Sequence, residues 1–456
     1  MERQHIQHLY RRAAFGITPE QLHVNAKLTK NTIVDELFVS SKNISPLIID
    51  TSELDHFNGQ MLLKNPKKRK SFIDLSLQKL KAYNKLWLER LMHSDELLRE
   101  RMTLFWANHF ACRDSNIFHV QQYNNTLRSN ALGHFGDFVK AVSKEPAMLK
   151  YLNNKQNRKQ RPNENFAREL MELFTLGEGY YSEQDIKESA RAFTGYNHNF
   201  QGEFIMRKLQ HDYGFKEFMG HTGRYNGDDI IDIILEQKQC ARFICGKIYK
   251  YFVNDIIDAE RVELLAKRFY NDYDIGKLMR HIFQSDWFYE DKNIGTKIKS
   301  PIELLVGMHQ IVPFNLKSEK DTLKIQRLLG QILLNPPNVA GWKGGKNWID
   351  SNTIMLRLKL PSLLLSNAKI STTEKGDFED AFSKYRKNQG HQFVEIEVNW
   401  NRFDLQYQGV LTEKLQEYIV APRLNNGTNK YLQDLSTSNK REVCIRLLSL
   451  PEFQMC

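Results

Sequence analysis

The segment Arg161–Asn197, RPNENFARELMELFTLGEGYYSEQDIKESARAFTGYN, concentrates the side chains best able to do chemistry. With Asn163 as N-cap and about 100° per residue counted from Glu164, Arg168 falls near roughly 40°, Glu172 near 80° and Glu169 near 140°. Phe166, Ala167, Leu170, Leu173 and Phe174 fill the opposite arc. One face is therefore apolar, and the other carries three carboxylates and an arginine. Carboxylates at i and i+3 can converge on a divalent cation or divide the roles of acid and base. The same pattern also serves an exposed face laced by i,i+4 ion pairs. The Glu-x-x-His partner of helical di-metal sites is missing from the segment. Gly177 and Gly179 end this helix, and Ser182-x-x-Asp185 is a capping box that starts a second. From that second helix Arg191 can face back toward Glu169 or Glu172.

His109 lies on an expected Ser94–Phe110 helix, within the stripe of Leu98, Met102, Phe105 and Trp106. It is either a core histidine with one satisfied nitrogen or a ligand or base aimed into a buried site. The loop His211-Asp212-x-Gly214-x-Lys216-x-x-x-Gly220-His221 carries the residue types of catalytic or ion-binding loops. Adjacent side chains diverge, so His211 and Asp212 are no dyad by sequence, and loop-stabilising roles stay open for Asp212 and Lys216. A rigid loop, Asn335–Gly345 (NPPNVAGWKGG), is followed by Trp348. Asn338, Trp342 and Trp348 suit a sugar-stacking rim, or an apolar plug packed on helices. The working site is therefore Glu169 and Glu172 as acid and base or as metal ligands, with His109 and His211 completing a divalent-metal shell. Arg168 or Arg191 would orient an anionic substrate, and Asp212 and Lys216 would assist.

The elements that must position these groups are mostly helical. Apolar residues recur at three- and four-residue spacing over Ser71–Leu91, Ser94–Phe110, Gln122–Val142, Asn163–Leu176, Ser182–Phe193 and Asp228–Val253. The same spacing continues over Ala259–Tyr270, Ile275–Gln284, Pro301–Val312, Thr322–Leu334 and Thr353–Leu365. Asn197–His221, rich in Gly and aromatics, reads as a small hairpin and loop, and Lys64–Lys70 (KNPKKRK) as a solvated loop. After about Ser371 the chain turns polar, with a strand at Phe393–Val398. These readings give a mainly α fold: one large multi-helix domain (1–370) with a small β-hairpin insertion, then a short mixed C-terminal appendage (371–456).

Composition agrees with that reading. Of 456 residues 41% are hydrophobic and 11% aromatic, enough for a large core and against wholesale disorder. Gly 24 and Pro 12 are few, which favours helices over a many-stranded sandwich. The net charge of +11 is spread thinly apart from Lys67–Lys70, so no nucleic acid is expected. Five cysteines form no C-x-x-C pair, and Cys240 and Cys245 have the wrong spacing for a zinc knuckle; reduced thiols are expected. The chain contains no phosphate-binding Gly-rich motif, no G-x-S-x-G and no H-E-x-x-H. Apolar runs fall far short of a membrane span. Arg11-Arg12 lacks the apolar run of an export signal, so the chain as written is expected in the cytoplasm.

The segments HLYRRAAFGITPEQL, LRERMTLFWANHF, LRSNALGHFGDFVKAVSKEPAMLKYLNN, PNENFARELMELFTLGEGYYSEQDIKESARAFTGY, HDYGFKEFMG, IKSPIELLVG and GQILLNPPNVAGWKGG follow one another in order. Together, over about residues 5–368, they resemble the bacterial family catalogued as domain of unknown function 1800. The resemblance implies no agreed biochemical function. Relatives are commonly exported, often by the twin-arginine route, and are often encoded beside a second family resembling sulfatases and alkaline phosphatases. Export in the folded state hints at a metal or cofactor, a hint weakened here because the chain begins at the domain signature. The leading expectation is a metal- or carboxylate-dependent hydrolase or transferase acting on a carbohydrate-like or anionic substrate. The alternative is a non-catalytic assembly module working with a sulfatase-like partner protein.

Overall fold

A computed structural model describes residues 1–366, 394, 396–422, 424, 426–433 and 439–456. Helices dominate, and the strands described form three two-stranded antiparallel sheets. The fold is therefore mainly α with small β-hairpins, as the apolar spacing required.

Two apolar clusters organise the packing. The first gathers the N-terminal helix Arg3–Ala13 with helices Leu97–His109, Ile117–Asn130, Phe135–Lys144, Glu183–Ala192, Gly227–Glu236 and Lys238–Phe252. The second is built on helices Pro66–His93, Pro301–Ile311, Glu319–Leu329 and Ser351–Leu365, and takes in Phe403, Tyr407, Leu447 and Phe453 from the C-terminal region. Helix Leu97–His109 serves both: Leu98, Met102, Phe105 and Trp106 enter the first cluster, and Leu104 the second. All five cysteines are free and buried. Among the described residues no helix is long and apolar enough to cross a membrane.

Several expected boundaries move, each for a local reason. Lys64–Lys70 is no loop: Asn65 caps the backbone N–H groups of Lys67 and Lys68, Pro66 occupies the first helical position, and the helix runs on to His93. The single helix expected over Gln122–Val142 is two, because the chain turns at Leu132–Gly133 and His134 caps the second by accepting from the Asp137 N–H. Asp228–Val253 likewise divides at Gln237. The helix expected to reach Leu334 stops at Leu329, where Gly330 takes the left-handed conformation with φ +90°. The C-terminal strand is Ile396–Val398, pairing antiparallel with Phe314–Leu316. The rest of the expected strand (Phe393 and Glu395 among it) and the domain boundary near 370/371 fall on, or beside, residues outside those described.

Candidate functional site

The carboxylate-bearing helix differs from its expected form in a way that matters. Glu164, not Asn163, is the N-cap residue; Asn163 stands one position earlier and accepts from the Asn165 N–H at 3.1 Å. The α-helix Asn165–Glu169 then passes into a π-turn over Leu170–Thr175. Leu176 and Gly177 both donate to the Met171 carbonyl, at 2.8 and 3.0 Å, and the Thr175 hydroxyl donates to the Leu170 carbonyl at 2.6 Å. A π-turn advances less per residue than an α-turn, so the regular 100° count fails beyond Glu169.

Each side chain of the Glu/Arg face then meets a different partner. Arg168 grips both oxygens of Glu183 at 3.0 Å and reaches Glu164 at 3.4 Å, tying the first helix to the start of Glu183–Ala192. Glu172 accepts from the Tyr181 hydroxyl at 2.9 Å. Burial and the neighbouring Glu172 charge push that phenol up to about 12. Glu169 is half-buried and takes no hydrogen bond among the described residues. Burial, and secondly Glu172, lift its carboxyl above the usual range.

Arg191 does not face Glu169 or Glu172. Its Nε lies 2.8 Å from Asp212 and its Nη1 2.7 Å from Glu188. Asp212 also accepts from the Gly214 N–H at 2.8 Å, and its own N–H donates to the Thr194 hydroxyl at 2.8 Å. Lys216, 1% exposed, donates to the carbonyls of Asp212 (2.6 Å) and Gly214 (3.1 Å). His211 Nδ1 meets the Thr194 carbonyl at 2.8 Å. With Glu188 and local backbone, the contacts of these four residues fasten the hairpin loop to helix Glu183–Ala192.

His109 is packed among Phe105, Trp106, Phe110 and Phe174, with Nε2 3.0 Å from the Phe174 carbonyl. Burial, then Lys247, pushes it down to about 3, so the ring stays neutral. Neither His109 nor His211 joins the glutamates. Among the described residues no three of His, Cys, Asp and Glu gather as a metal ion needs. The donor set Glu169, Glu172, His109 and His211 therefore does not fit a common ion.

The Trp-bearing loop is held by Asn108, whose amide accepts from the Trp342 N–H at 2.7 Å and donates to the Trp342 carbonyl at 3.2 Å. Gly341 has φ +72°, and a Cβ there would lie 2.3 Å from Asn108 Oδ1, so only glycine lets the backbones approach this closely. Asn338 is exposed and caps the Ala340 N–H at 3.0 Å; Trp348 is half-buried at the end of the short turn Gly345–Trp348. Beneath Trp342 lies a cavity of about 20 Å³, lined by Trp87, Leu104, Cys112, Tyr123 and Pro336. That is room for little more than a water molecule, so Trp342 closes a gap in the packing. Arg113, on the adjacent rim, reaches Asn335 at 3.5 Å.

Tyr151 is half-buried; burial raises its phenol, Arg113 opposes that, and Cys112 and then Glu169 add smaller upward pushes. Sequence reasoning missed the cluster alongside: Asp114 receives His119 Nδ1 at 2.8 Å and also pairs with Lys150, and the His119 ring meets that of His198 at 4.9 Å. Asp114 and His119 lie five apart across the Asn116 N-cap, so no helical spacing announced them; His198 arrives from the distant strand Tyr196–His198.

The fold and rim define a multi-helix protein with polar residues gathered at helix ends and hairpin loops rather than in a deep apolar pocket. Residues 8–455 match the family described as "Protein of unknown function (DUF1800)", and the chain belongs to that family. The match extends well beyond residue 368, into the C-terminal region. No curated protein and no solved structure matches the chain.

Proposed function

We propose that the chain catalyses a hydrolytic or group-transfer reaction on a carbohydrate-like or anionic substrate by carboxylate acid–base chemistry, with Glu169 as proton donor. One observation carries the reading: Glu169 is a half-buried carboxyl held above its usual range, with no hydrogen bond among the described residues, beside a second carboxylate that is fixed by Tyr181. A carboxyl that keeps its proton nearer neutrality is suited to protonate a leaving group, while an anchored neighbour is suited to stabilise charge. No step is assigned to a metal. The test is a panel of nitrophenyl glycosides, phosphates and sulfates assayed with parent and Glu169→Gln. Turnover should fall about 100-fold or more with the fold intact; a Gln variant as active as the parent ends the proposal.

A second reading, assembly with a sulfatase-like partner, is favoured by exposed apolar side chains on the hairpins and their connecting loop. Leu209 is 87% exposed, Phe215 64% and Tyr213 57%, a density that marks interaction surfaces. Co-sedimentation with a sulfatase-like protein of the kind encoded beside relatives should be lost in Leu209→Glu/Phe215→Glu; unchanged complex formation in that variant, or none with the parent, removes this reading.

A further inference from the structure

We infer that the side chains meeting where the turn Asn154–Gln156, the start of helix Ile117–Asn130 and the hairpin Tyr196–Met206 come together bind a phosphate group, on Lys155, Arg207, Lys150 and His198. The inference deepens the proposed function by naming the anionic part of its substrate, and it rests on that reading only for the reaction, not for the binding.

The charge balance comes first. Lys155 lies beside His198 and feels the charges of Arg207, Lys150 and Asp114, and Asp114 is paired with Lys150. Lys150 is paired with Asp114, whereas Lys155 makes one polar side-chain contact among the described residues, to His198 Nε2 at 3.4 Å. Arg207 is exposed and its guanidinium has no hydrogen bond or ion pair among them. Burial and then the two neighbouring cations, Arg207 and Lys150, lower Lys155 from its ordinary value. A bound anion would relieve that crowding. Glu203, the nearest hairpin carboxylate in sequence, is turned away onto Asn199 at 2.7 Å.

The imidazoles supply selectivity. His198 is 9% exposed and its Nδ1 lies 2.7 Å from the Asn199 carbonyl, which makes Nδ1 the N–H donor. Burial pushes the ring down to about 4, so it is neutral and Nε2 carries a lone pair. His119 is arranged alike: Nδ1 donates to Asp114 at 2.8 Å, and Nε2 faces the Asn116 amide at 3.2 Å. An acceptor nitrogen between cations prefers an anion that itself carries a proton. Hydrogen phosphate and singly protonated phosphate monoesters offer a P–O–H to His198 Nε2, with the remaining oxygens on Lys155 and Arg207. Sulfate and sulfate esters have no such proton.

Calorimetric titration of the full chain with inorganic phosphate, inorganic sulfate, glucose 6-phosphate and glucose tests this, alongside imidazole NMR of His119 and His198. Phosphate and glucose 6-phosphate should bind and move the His198 resonances. Sulfate should bind at least ten-fold more weakly, and Arg207→Met or Lys155→Met should weaken phosphate at least ten-fold. Tighter binding of glucose 6-phosphate than of inorganic phosphate supports a substrate ester; equal binding supports a site for the free ion. No phosphate binding, equal binding of sulfate, or a His198 signal that does not move overturns the assignment. Glu169→Gln should leave phosphate affinity unchanged, so loss of turnover in that variant and loss of phosphate binding in Arg207→Met fail or succeed separately.

Discussion

Glu169 and Lys216 are charged groups set into the same region, and their surroundings give them opposite roles. Lys216 loses most of its water but gains two carbonyl acceptors, the arrangement of a residue that holds a loop. Glu169 loses part of its water and gains no hydrogen bond among the described residues. For a carboxyl whose folded pKa is raised, the folded state binds the proton more tightly, so stability falls as pH climbs from the unfolded value of 4.5 through the folded one. At neutral pH the charge is a burden, and Glu169→Gln should melt at the parent temperature or slightly above while losing turnover. A marked drop in Tm would show that the carboxylate is structural. Lys216→Met should do the reverse, lowering stability by about 1–3 kcal/mol by stranding the two carbonyls and leaving the pH profile of any activity in place. Calorimetric melting of both variants separates the roles.

At the scale of elements, the loop carrying Trp342 depends on one close approach. Gly341→Ala would drive a methyl into Asn108 and force a left-handed residue to carry a side chain, a cost of about 1–3 kcal/mol. The expected outcome is a lower Tm with Trp342 fluorescence shifted to the red as the indole leaves its gap; an unshifted spectrum would mean that the loop does not need Asn108. This contact also shows what the sequence could and could not disclose. The apolar spacing located most helices, and the Ser182-x-x-Asp185 box formed as read. Breaks at His134 and Gln237 were hidden because apolar periodicity carries across a short kink. The π-turn was hidden because its cause is a set of backbone and hydroxyl bonds, not a residue pattern. The sequence named Glu169, but it could not show that Arg168 and Arg191 were already engaged. The Asp114–His119–His198 group stayed invisible because it joins a helix cap to a distant strand.

Across the whole molecule, a buried charge cluster ties the two apolar clusters together. Arg101 of helix Leu97–His109 pairs with Glu303, and Lys297 lies 3.4 Å from the same carboxylate; all three side chains are 6% exposed or less. Around them Arg12 donates to the Asn293 carbonyl at 3.0 Å, Arg357 to the Lys299 carbonyl at 2.6 Å and Lys299 to the Phe453 carbonyl at 2.7 Å. The N-terminal helix, the central helices and the chain's last residues are thereby joined. Burial alone would raise Glu303, but Arg101 and Lys297 hold it well below the carboxylate range. A carboxyl depressed in this way stabilises the fold above its unfolded value of 4.5, and that contribution is lost as pH falls below it. Lys299 runs the other way. Burial brings it to about 7, so its charging opposes the fold at acid and neutral pH, and stability should rise between about 7 and 10.5. Glu303→Gln leaves two buried cations without their anion, a loss on the order of 3–5 kcal/mol. Its Tm at pH 7 should fall by roughly 5 °C or more, and the gap from the parent should narrow in acid, where the parent loses the same interaction. Equal melting at pH 7 would mean that water or another group replaces the carboxylate. A gap that persists unchanged at pH 3 would mean that Glu303 acts by accepting the Ser300 N–H at the start of the Pro301–Ile311 helix rather than through its charge.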